Sequence, residues 1–169
     1  MKLQSAIEEI IRQELERQSE LGIKNAAALL VEVPSMKVRA YVGSAYYGDR
    51  ARDGFVNVLP AKRSPGSLLK PLIYGLALDQ GRIIPESMVK DVPLKLSAYI
   101  PENFERNFLG PISATDALVR SRNIPAIELY RVLNEGSFYS MLVQAGVTGL
   151  RSEDFYGIGL VLGGLGISA

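Results

Sequence analysis

Arg63-Ser64-Pro65-Gly66-Ser67-Leu68-Leu69-Lys70-Pro71-Leu72-Ile73-Tyr74-Gly75-Leu76-Ala77-Leu78 decides how the chain is read. A turn-forming Ser-Pro-Gly stretch gives way to an apolar run in which Ser67 and Lys70 stand one helical turn apart, facing the same side. Pro71 limits where that helix begins, because a residue without an N–H fits only the first turn, where the donor has no intrahelical partner. Ser67 is thus expected at a helix mouth, near unpaired N–H groups and the positive end of the dipole. A hydroxyl and an amine so placed can attack a carbonyl, the amine acting as base in a chain without histidine. The same spacing recurs in Ser87-Met88-Val89-Lys90, but Pro85 and Pro93 bracket it and leave no room for a long helix. Serine is also a favoured N-cap, so spacing alone leaves Ser67 open to a structural role.

A second element narrows the choice. Ser121-Arg122-Asn123 is the one place where a serine has asparagine two positions on. The run Ile112–Val119 before it and the run Ile124–Leu133 after it both carry helical periodicity, which predicts a short turn at 121–123. There a second hydroxyl can relay a proton, while a carboxamide offers both donor and acceptor to a peptide-like substrate.

With these two elements in view, the chain resembles the penicilloyl serine transferases, and within them the transpeptidase domain of class A penicillin-binding proteins, with phrasing nearest their 1C type. The likeness is carried by Asn25–Val33, Ala40–Ser44, Arg63–Pro71, Pro101–Phe104 and Ala117–Ala126. It implies that Ser67 is the acylated nucleophile, Lys70 its base, Ser121 the hydroxyl that passes a proton to the leaving group, and Asn123 a ligand for the substrate amide. The family's third motif, Lys-Thr-Gly or Lys-Ser-Gly, is absent, since no lysine here is followed by either pair. The polypeptide is therefore read as a fragment ending before that motif, inactive in isolation. The parent is expected to carry a membrane anchor and a glycosyltransferase domain upstream, and to work in the periplasm or on the outer face of the cytoplasmic membrane.

Composition agrees with one soluble domain. The chain has 169 residues, 47% of them hydrophobic, and a formal net charge of +1, with a mean hydropathy of +0.11. No basic block suits a phosphate backbone, so nucleic acid is not an expected partner. The lack of cysteine and histidine removes thiol nucleophiles, the usual zinc spacings and a Ser-His-Asp arrangement; no cofactor or metal is expected. Gly157-x-Gly159 is no dinucleotide fingerprint, because position 162 is leucine.

The expected fold class is α+β, an antiparallel sheet present only in its first strands beside a mainly helical lobe. Residues 1–22 form a leading helix, with Leu3, Ile7, Ile10, Ile11 and Leu15 on one stripe and Gly22 as stop; residues 23–45 form a hairpin; residues 60–169 are mainly helical, interrupted by a loop over 84–107. A hairpin with an uncovered edge invites self-association.

The function expected of the parent is cross-linking of peptidoglycan stem peptides through an acyl-serine, with β-lactams acylating the same serine. The alternatives are a D,D-carboxypeptidase or β-lactamase-type hydrolase, for which Glu102 and Glu105 are the nearby carboxylates, and a non-catalytic β-lactam sensor or scaffold. Lys70 acts as a base only with its charge suppressed, since an ordinary lysine is neutral in only about one molecule in 2,500 at pH 7; the alternative is that it works together with Ser121 and the substrate.

Overall fold

A computed structural model describes residues 2–96 and 99–168; Met1 and Ala169, the outer limits of the expected domain, lie outside the described residues. The chain divides into two compact units, residues 2–62 with Ser168, and Arg63–Ile167.

In the first unit, helix α1 (Lys2–Arg17) lies against strand β2 (Lys37–Val42), which pairs antiparallel with β1 (Ala28–Glu32). The apolar stripe of α1 is narrower than its spacing suggests: Leu15 is buried, Ile7 and Ile11 are half-buried, and Leu3 and Ile10 are exposed. The regular helix stops at Arg17, and a 3-10 turn, Ser19–Leu21, carries the chain to Gly22 in the left-handed region. Along β2, Ala40 and Val42 are buried between exposed neighbours, the alternation of a strand with one covered face. The carboxamide of Gln4 donates to the Tyr41 carbonyl (3.0 Å) and accepts from the Tyr41 N–H (2.9 Å), closing the outer edge of β2 at that point.

The second unit is built on α2 (Lys70–Asp79), whose buried residues Lys70, Ile73, Tyr74 and Ala77 repeat at three-to-four spacing. It packs on α4 (Asn123–Val132), with α3 (Ala114–Val119), α5 (Ser137–Gln144) and α6 (Glu153–Tyr156) completing the helical set. The core contains Ile73, Ala77, Ala117, Ala126, Ile127 and Phe138, all nearly inaccessible.

Two expectations are corrected here. The 84–107 loop contains strand β3 (Met88–Asp91), and Ile112 and Ser113 belong not to a helix but to β4 (Gly110–Ser113), which pairs antiparallel with β3. Among the described residues, β3 and β4 form a two-stranded sheet separate from that of β1 and β2. Strands of four residues, one containing Pro111, are too short for alternation to register. The extended backbone from Met88 to Lys90 also disposes of the Ser87/Lys90 match, because side chains along a strand alternate and do not recur every third residue. Ser113 then caps α3, its hydroxyl accepting from the Asp116 N–H at 3.0 Å.

No helix among the described residues is long and apolar enough to cross a membrane.

Candidate active site

Ser67 lies in a 3-10 turn, Gly66–Leu69, that runs directly into α2, with the Lys70 N–H bonded to the Ser67 carbonyl. No side chain caps either the turn or the helix, so the Ser67 hydroxyl is not spent as a cap and stands exposed on a cavity wall. The turn is held from far along the chain. Ser64 Oγ donates to the Gly163 carbonyl at 2.6 Å and accepts from the Gly66 N–H at 3.2 Å, and Arg63 and Ile167 exchange two backbone bonds of 2.9 Å. Gly163 has φ +80°, and a Cβ there would stand 2.3 Å from the Gly66 nitrogen, so two glycine backbones touch where no side chain fits.

Lys70 belongs to the buried stripe of α2, which is why a charged residue is only 1% exposed. Its Nζ donates to the Ser121 carbonyl, to Ser121 Oγ at 3.1 Å and to Asn123 Oδ1 at 2.6 Å, three acceptors for three donors. The amine is thus turned toward 121–123, and Ser67 is not among these partners. Burial, with repulsion from the Arg122 guanidinium added, lowers the amine from its ordinary value to about 8. Roughly one molecule in ten is then neutral at pH 7.

The 121–123 turn is set by the end of α3. Ser121 N–H bonds to the Leu118 carbonyl and Arg122 N–H to the Ala117 carbonyl, both at 2.9 Å, the paired bonds of a Schellman ending. Such an ending calls for a left-handed residue, usually glycine, yet Ser121 occupies it at φ +54°. The strained residue brings its carbonyl and hydroxyl together onto Lys70.

A buried polar network beneath this turn escaped the sequence reading. Asp91 and Arg122 are almost wholly buried and joined at 2.7 Å; Asp91 also accepts from Asn103 Nδ2 (2.7 Å) and the Leu109 N–H (3.0 Å). Arg122 further donates to Asn107 and to the Glu105 carboxylate. Asn103 Oδ1 accepts the Asn123 N–H at 2.8 Å, and the Glu102 carbonyl accepts from Asn123 Nδ2 at 2.7 Å, which orients the Asn123 carboxamide from both ends. Asn103 lies inside the Pro101–Phe104 phrase and Arg122 inside Ser121-Arg122-Asn123, whereas Asp91 had no local signal.

Ser67, Ser121 and Asn123 line one cavity of about 420 Å³, together with Gly66, Asn103, Phe104, Glu105, Arg120, Arg122 and Leu162. Among the described residues no cluster of three or more His, Cys, Asp or Glu side chains is arranged to hold a metal. The arrangement offers an exposed hydroxyl, a depressed amine, a second hydroxyl on that amine and an oriented carboxamide around a space for substrate, the parts an acyl-transfer site uses.

A family profile described as the penicillin binding protein transpeptidase domain matches residues 26–154, and the chain belongs to that family, with the α+β fold of its transpeptidase domains. It is 42% identical over 141 residues to penicillin-binding protein 1C of Escherichia coli (strain K12), an alignment covering 83% of this chain and 18% of that relative. With penicillin-binding protein 1B of Vibrio cholerae the identity is 34% over 154 residues, covering 85% and 19%. The solved structure of penicillin-binding protein PonA1 from Mycobacterium tuberculosis superposes with a TM-score of 0.76 at 28% identity, covering 98% of this chain and 44% of that one. The chain spans about a fifth of the length of these curated relatives.

Proposed function

We propose that this chain supplies the nucleophile and its proton-handling groups to a peptidoglycan D,D-transpeptidase. Ser67 Oγ attacks the penultimate carbonyl of a donor stem peptide and loses its proton to Lys70; the C–N bond breaks, and the departing amine takes a proton through Ser121. The acyl-serine is then attacked by the amine of a second stem peptide, which restores Ser67 and forms the cross-link. Asn123 holds the substrate amide. A β-lactam carbonyl follows the first half of the same course and stops at the acyl-serine.

The observation that carries this reading is the convergence of the Lys70 amine on Ser121 and Asn123, beside the cavity that Ser67 also lines. For the proton to move, Lys70 gives up one of its three acceptors and turns to Ser67. The hydrolase reading has less support, because Glu102 presents its carbonyl rather than its carboxylate to Asn123, and the Glu105 carboxylate is tied to Arg122. The whole protein works, on this reading, at the outer face of the cytoplasmic membrane on peptidoglycan, alongside a glycosyltransferase domain. The uncovered edge of β1 favours association of the chain with itself, which sedimentation velocity at rising concentration would reveal.

Fluorescent penicillin tests the assignment in the full-length gene product. Label is expected on the peptide containing Ser67, is expected to vanish in Ser67→Ala, and to decay slowly; label persisting in that variant overturns the assignment, and rapid decay favours a hydrolase. The chain alone, without a Lys-Thr-Gly motif, is expected to label weakly or not at all.

A further inference from the structure

The charged side chains that line the cavity differ in how far they are committed. Arg122 is buried and saturated by Asp91, Asn107 and Glu105. Glu105 is engaged by Arg122. Arg120 is exposed and forms no ion pair among the described residues. Its backbone is fixed, since its N–H bonds to the Asp116 carbonyl at 2.9 Å and it directly precedes Ser121, whose left-handed turn is locked by the end of α3. The base of the Arg120 side chain is therefore held in register with the Ser121 hydroxyl.

Two further features bear on what a ligand there would look like. Of the charged residues that line the cavity, Arg120 and Arg122 are cations and Glu105 is an anion, so a bound anion restores the balance. Phe104, 100% exposed, lines the same cavity and offers an aromatic face that a substituent can cover.

We propose that Arg120 is a specificity-determining residue that favours acyl donors bearing a carboxylate on their side chain, away from the carbonyl that Ser67 attacks, with Phe104 covering the apolar part of that side chain. This rests on the acyl-transfer reading above. Because Arg120 is solvated and screened, the preference is modest, about fivefold at low salt.

Benzylpenicillin and carbenicillin test it, since they differ by one carboxylate on the acyl side chain. The second-order acylation rate of the full-length gene product is measured with each, and the readout is the ratio of carbenicillin to benzylpenicillin. That ratio is expected to fall about fivefold in Arg120→Gln and further in Arg120→Glu. A variant that folds poorly lowers both rates together and leaves the ratio alone, so the wild-type protein supplies a second measurement: raising the salt should lower its ratio. A ratio unchanged by both substitutions and by salt overturns the inference while the acyl-transfer reading stands. Failure of carbenicillin alone to acylate wild-type protein overturns the inference, and failure of both penicillins overturns the acyl-transfer reading as well.

Discussion

Lys70 Nζ lies 3.1 Å from Ser121 Oγ, joining the first turn of α2 to the left-handed residue that ends the α3 turn. Two elements that would otherwise meet only through apolar contact are thus tied at the point where chemistry is proposed. Neither side is at ease, for the amine is desolvated and the serine holds a backbone conformation suited to glycine.

Acylation should depend on pH through Lys70. With the amine lowered to about 8, the neutral fraction grows as pH rises, so the β-lactam acylation rate should climb from about pH 6 and level off above about pH 8. Removing the neighbouring cation in Arg122→Gln takes away a repulsion, which raises the Lys70 value and moves the climb to higher pH. Stopped-flow rates across this range check both; a flat profile would count against Lys70 as base.

Stability should also respond. Between about 8 and 10.5 the unfolded chain holds a proton on Lys70 that the folded chain has lost, so stability should rise with pH from about 8 to about 10. Above about pH 10 the sign reverses, because Tyr74 and Tyr130 are raised by burial and the unfolded chain loses phenolic protons first. Urea midpoints of wild type and Lys70→Met at about pH 7, 8.5 and 9.5 check this, the rise being expected to shrink in the variant.

Ser121→Gly relieves the left-handed strain but, like Ser121→Ala, loses the hydroxyl acceptor for Lys70, so it should be roughly 1 kcal/mol more stable than Ser121→Ala while efficient acylation is abolished in both. Ser121→Ala keeps the strain and loses the hydroxyl, so it should be the less stable of the two. Thermal midpoints alongside penicillin labelling separate the effects.

Asp91→Ala strands the Arg122 charge in the interior and should cost about 3–5 kcal/mol. Adding Arg122→Met should recover a large part of that loss, because the stranded charge goes with it. Denaturant unfolding of the single and double variants measures the coupling.

Gly163→Ala drives a methyl group into the Gly66 backbone from a φ that L side chains rarely adopt. A loss of about 2 kcal/mol or more is expected, with weaker Ser67 labelling. Unfolding curves and labelling of the full-length variant give the check.

The residues on the helices were legible because their neighbours repeat. Lys70 falls on the stripe with Ile73, Tyr74 and Ala77, and Pro71 marks the helix start within a residue or two. Ser121 and Asn123 lie between two periodic runs. Asp91 and Arg122, by contrast, meet across 31 residues, and a buried ion pair of that separation leaves no periodicity behind. The short strands β3 and β4 stayed hidden for a related reason: each makes sense only opposite the other, Asp91 against Gly110 and Met88 against Ser113.

The touching backbones of Gly66 and Gly163 make the placement of Ser67, the proposed nucleophile, a non-local property, since Ser64 reaches Gly163 across 99 positions. A proteolytic nick between 157 and 163 would leave every letter of the Ser67 and Ser121 motifs intact while releasing the clasp that holds the Ser67 turn. A motif search would score such a product as whole, although its hydroxyl had lost its bearing.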